Sequence, residues 1–92
     1  MKPERLRAIS RRFNRQRTPE CRAKTIKNEE DMMVVVFSGT AIFSCCFDEH
    51  FEDYRRMLKE VNENYEIEKV IKCKNSFIVL YKKLSDAVCN PL

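Results

Sequence analysis

Ten Lys and Arg residues crowd the first 27 positions of this 92-residue chain (Lys2, Arg5, Arg7, Arg11, Arg12, Arg15, Arg17, Arg22, Lys24, Lys27), against two acids, Glu4 and Glu20. That segment carries +8, and the remaining 65 residues carry −4, which together give the net +4. Guanidinium groups present several N–H donors in a planar fork, so a cluster of them suits the oxygens of phosphate or carboxylate. The chemistry this implies is binding to a polyanion or to an acidic protein surface. The cations singled out for phosphate are Arg5, Arg7, Arg11, Arg12, Arg15 and Arg17, with Phe13 inside RRFNR able to stack on a base. RNA is favoured over DNA as the partner, because Arg-rich segments order on RNA. If six or so of these cations meet phosphates, affinity falls steeply with salt, about 0.7 log units per phosphate on single strands.

The same segment supports a second reading. Leu6, Ile9 and Phe13 fall at i, i+3 and i+7 and make one apolar stripe, which could seat in a partner's groove with the arginines on its acidic rim. Fold-back onto the chain's own acidic helix is a third use. The Arg-rich, acid-poor composition also fits a mitochondrial presequence, although Glu4 and Pro3 count against it. Arg5-Leu6-Arg7-Ala8-Ile9-Ser10 and Arg17-Thr18-Pro19 resemble kinase sites, where a phosphate would subtract charge from the arm.

Other chemistry-bearing groups are sparse. A zinc site wants Cys or His pairs converging from one turn. Here Cys45 and Cys46 are adjacent, and Cys21, Cys73 and Cys89 stand apart, so no metal or other cofactor is expected. Cys46 with His50 could form a thiolate dyad at a helix start, but Asp48 and Glu49 would oppose the charge. The acid pairs Glu29/Glu30, Asp48/Glu49 and Glu52/Asp53 read as solvated surface. With a single glycine, Gly39, phosphate-cradling Gly-rich loops are excluded. An enzyme is therefore not expected.

The elements that must position these residues follow from their periodicity. Residues 3–16 suit a helix, with Pro3 in its first turn and Thr18-Pro19 ending it. Residues 17–31 lack period and read as a linker. Met32–Phe37 and Phe77–Tyr81 are apolar on both faces and should be central strands. Ala41–Phe47 is assigned as a short strand. Asp48 should cap a helix with Phe51, Tyr54, Met57, Leu58 and Val61 on one face, stopped near Asn62 and Asn64, with Glu52 pairing Arg56 at i, i+4. Glu66–Lys74 is a mixed, edge-type strand, and the tail through Cys89, Asn90 and Pro91 reads as irregular.

The fold class is α+β: a three- or four-stranded antiparallel sheet, ββαββ or βαββ, with one amphipathic helix. A basic arm (1–27) precedes a small domain (28–92). The longest apolar run, Met32 to Phe37, is six residues, far short of a span, and the N-terminus lacks a signal-type apolar stretch. Five cysteines without such a signal are read as reduced thiols in the cytoplasm or nucleus. One helix can cover only one sheet face. The second is expected to meet the arm helix, a second copy in a homodimer, or a partner within a larger assembly such as a ribonucleoprotein. The reading is a non-enzymatic nucleic-acid-associated protein, with a protein–protein module (inhibitor or assembly factor, of viral type by size) as the alternative.

Overall fold

The structure is a computed structural model and describes residues 1–44 and 46–84. Expectations that touch Cys45, Cys89, Asn90 or Pro91 lie outside these residues. The elements run α1 (Pro3–Arg17), β1 (Arg22–Asn28), β2 (Met32–Ser38), α2 (Glu49–Glu60), β3 (Tyr65–Lys72) and β4 (Phe77–Lys83). All strand pairings are antiparallel, in the order β1-β2-β4-β3. The class is α+β, and the two strands apolar on both faces, β2 and β4, are the central pair.

Alternation along these strands divides the sheet. Met33, Val35 and Phe37 of β2 and Val79 and Tyr81 of β4 are fully buried. They form one core with Leu6, Ile9 and Phe13 of α1 and Phe51, Tyr54, Met57 and Leu58 of α2. Both helices therefore lie on the same face, α1 over β1 and α2 over β3, touching each other. Of the three occupants expected for the second face (the arm helix, a second copy or a partner), this removes the arm helix. The reason is width: four strands span about 14 Å between outer axes, whereas a helix with its side chains is about 10 Å across. One helix cannot roof this sheet. The opposite face, carrying Val34, Val36, Ile78 and Leu80 across the central pair, has no helix over it among the described residues.

The fourth strand is also not where the sequence places it. Arg22–Asn28, read as linker, is β1, while Ala41–Ser44 turns. The turn arises at Gly39, whose φ of +143° suits glycine. Thr40 and Ala41 then donate their N–H groups to the carbonyls of Pro19 and Glu20, at 3.0 and 3.1 Å. Chain direction is lost, and Ile42 and Phe47 plug the end of the core instead of extending the sheet. A Cβ at Gly39 would collide with the Glu20 carbonyl and lie 2.9 Å from the Cys21 Cα. Gly39→Ala is expected to cost about 2–4 kcal/mol, from strain plus overpacking. Urea unfolding checks this, and an unchanged midpoint would contradict the close approach.

Helix α2 buries the face the periodicity indicates. Asp48 precedes it with helical backbone angles and no side-chain cap bond, so its capping role is not realised. Asn62 ends the helix in the left-handed region at φ 64°. Arg56 pairs with Asp53 at 2.9 Å, and Glu52 with Arg55 at 2.8 Å, so both pairs are i, i+3 and not the Glu52–Arg56 pair. No helix among the described residues is long and apolar enough to cross a membrane.

Candidate nucleic-acid interface

Helix α1 divides its side chains among three surroundings. Leu6, Ile9 and Phe13 face the core, and Phe13 is fully buried. Its ring meets Phe37 and Tyr54 edge-on, with centroids 5.8 and 5.2 Å apart. Phe13 thus has no free face for a base, and the Leu6–Ile9–Phe13 stripe is not available to a partner. Both sequence-based roles are corrected by the same cause: the stripe completes the core over β1.

A second set of residues faces α2. Arg5 donates to Glu63 at 2.7 Å, Arg12 to Glu60 at 3.1 Å and Arg17 to Asp53 at 3.3 Å. Arg17 also lies 4.3 Å over the Phe13 ring. Glu63 is a buried carboxylate and has Lys83 3.8 Å away as well. Arg5 and Arg17 therefore serve helix–helix packing. Arg12 and Glu60 are both well exposed, and such pairs contribute little.

The third set points outward. Arg7, Arg11 and Arg15 stand one turn apart on one line, about 6 Å per step along the axis. Among the described residues no carboxylate lies within ion-pair distance of any of them. They rim a groove between α1 and the edge strand β1. Its upper part, about 620 Å³, is lined by Arg7, Ser10, Arg11 and Asn14 from α1 and Lys24 and Thr25 from β1. A lower part, about 420 Å³, adds Arg15 and Arg22. Among the described residues no acidic side chain lines either part. The acids Asp48, Glu49, Glu52 and Asp53 line a separate cleft at the start of α2.

Hydrogen bonds hold the groove open in a fixed shape. The Asn14 amide accepts from Ala23 N–H at 2.7 Å and donates to Ala23 C=O at 3.0 Å, as a neighbouring strand would. Asn28 donates to the Met1 carbonyl at 2.8 Å. Ser10, which lines the groove, shares a 2.6 Å hydroxyl–hydroxyl bond with Tyr54 in the core. Burial pushes the Tyr54 phenol above its ordinary range, with Ser10 opposing, so it stays neutral there.

Arg22 and Lys24 complete this surface, although reading residues 17–31 as a linker left them out. The available signal was the alternation Arg22, Ala23, Lys24, Thr25, which has the period of a strand with its small residues turned toward α1.

The remaining candidates resolve locally. Among the described residues no group of three His, Cys, Asp or Glu side chains is placed to hold a metal ion. His50 packs edge-on against Phe13 and Phe47, with centroids 6.4 and 5.0 Å away. Its buried Nδ1 has no hydrogen-bond partner among the described residues. Cys46 is exposed, whereas Cys21 is fully buried. Burial pushes the Cys21 thiol up to about 12, with Arg17 opposing. Burial likewise raises Tyr81, whose hydroxyl donates to the Phe51 carbonyl at 2.8 Å.

These shifts have a defined sign. The folded chain keeps protons that the unfolded chain releases, so their stabilisation is whole below the ordinary thiol value of 9.0 and is lost as pH rises toward about 12. Stability should fall above pH 9 by up to about 1.4 kcal/mol per pH unit for each such group. Urea midpoints across the alkaline range measure it; a flat profile would mean these groups titrate normally.

Comparison with protein families, with curated proteins and with solved structures finds no match for this chain.

Proposed function

We propose that this chain is a non-enzymatic nucleic-acid-binding protein that seats phosphates along the α1–β1 groove on Arg7, Arg11, Arg15, Arg22 and Lys24. One observation carries the reading. The N-terminal arginines are sorted, with Arg12 and Arg17 in ion pairs to α2, Arg5 in one to Glu63 just past its end, and a line of cations left beside a groove with no acid among its described lining residues. Neutralising those charges from solution calls for a polyanion of comparable length, and a phosphate backbone is one. Five phosphate contacts on a single strand predict a log–log salt slope of about −3.5, or roughly a hundredfold loss of affinity between 50 and 200 mM salt. Fluorescence anisotropy with single- and double-stranded RNA and DNA measures both. The cytoplasm or nucleus, and membership of a ribonucleoprotein, fit this reading.

A second reading draws on the uncovered sheet face. Val36, Ile78 and Leu80 are only half-buried there, and strand register places Lys27, Lys69 and Lys82 on the same side. A second copy would set lysines against lysines, so the occupant this face suits is an acidic protein segment with an apolar centre. Absence of binding to every nucleic acid, with the fold intact, moves the assignment to that partner.

A further inference from the structure

We infer that the upper part of the α1–β1 groove is a nucleobase pocket, so that the nucleic acid it takes is single-stranded. This rests on the phosphate-binding reading above and adds to it what the cations cannot supply, a place for a base. β1 is an edge strand, and its outward backbone groups recur at every second residue. At Ala23 the outward N–H and C=O are both taken by the planar Asn14 amide, at 2.7 and 3.0 Å. Two residues on, the same alternation turns the N–H and C=O of Thr25 outward, just before the irregularity between Thr25 and Lys27. Thr25 lines the groove between the Asn14 clasp and the Asn28–Met1 clasp.

A nucleobase edge offers an adjacent donor and acceptor in one plane, as a side-chain amide does. Asn14 on Ala23 is thus a working copy, within the same fold, of how a base would sit on Thr25. The flanking surfaces fit as well. Leu6 and Ala23 give an aliphatic wall, and Arg7 and Arg11 at the rim can stack on a base face while reaching its phosphate. The volume of about 620 Å³ lies within the range of small-molecule pockets. Ser10 lines the groove with its hydroxyl bonded to the fully buried Tyr54, so a base would engage the strand edge and leave the core undisturbed. In a duplex those base edges are already paired and stacked, whereas a single strand can present them.

The experiment compares, on the full chain, a strand of about ten deoxyuridines with an abasic strand of equal length, following the Thr25 amide by ¹H–¹⁵N spectroscopy. The uridine strand is expected to bind roughly tenfold or more tighter. The Thr25 amide should move downfield with uridine and stay in place with the abasic strand. Equal affinities with an unmoved Thr25 amide would overturn the pocket and leave the phosphate groove standing. Failure of both strands to bind would overturn the phosphate reading and the pocket with it.

Discussion

On the proposed function, replacing Arg7, Arg11 and Arg15 together by Ala is expected to lower affinity for single-stranded nucleic acid about a hundredfold and to reduce the salt slope from about −3.5 to about −1.4. The arithmetic follows from the loss of three of five counterion-releasing contacts at about 0.7 each. The fold should be unaffected. All three side chains are exposed, no ion pair among the described residues involves them, and alanine is the best helix former. The control is the triple exchange of Arg5, Arg12 and Arg17, which carry the same charge on the same helix but pair with acids of α2 and with Glu63 just past its end. That variant should weaken the fold, chiefly by leaving the buried Glu63 with only Lys83 at 3.8 Å, and should leave the salt slope near its original value. A bulk-charge effect would make the two triple variants equally poor binders. Anisotropy titrations at several salt concentrations separate the outcomes, and loss of binding by both to the same degree ends the groove assignment.

The contrast between those variants marks where the sequence stops being legible. Leu6, Ile9 and Phe13 identify the inner side of α1 by spacing alone, because a helix puts i, i+3 and i+7 on one side whatever lies beneath. Which arginines stay outward depends on acids 36 to 58 positions away along the chain, brought close by the sheet. No local pattern encodes that. β1 was illegible for a related reason. RAKTIKN has few apolar residues, since an edge strand under one helix buries little beyond Ala23, and its partner β2 supplies the apolar surface. The central strands announce themselves through Met32–Phe37 and Phe77–Tyr81, where both faces are apolar. Their flanking strands, charged and half-exposed, are recognisable only once the central pair is in place. AIFSCCF misleads in the opposite direction. Its apolar residues suit a strand, but Gly39 and the bonds to residues 19 and 20 spend them on closing the core's end.

Phe13→Ala is expected to be the most damaging single exchange in α1, costing about 3–5 kcal/mol. The ring is fully buried and touches Phe37, Tyr54 and His50 by its edges and Arg17 by its face, so truncation leaves a cavity with aromatic walls and a cation without its platform. Against a typical total of about 5–15 kcal/mol, that brings a domain of this size near half-unfolded in warm solution. The melting temperature should drop by on the order of 15–30 °C. Thermal unfolding followed by circular dichroism measures it; a drop of only a few degrees would mean that α1 is not part of the cooperative core. The same packing predicts that a chain beginning at Lys27 cannot fold, since it lacks α1 and most of β1 and would bare Met33, Val35 and Tyr54, all fully buried. Loss of binding on such a truncation therefore says nothing about the arginines. Phe13→Ala, assayed cold where it stays folded, separates the two roles: it should bind nucleic acid with the original salt slope, because the residues that hold α1 down and those that face the groove lie on different sides of one helix.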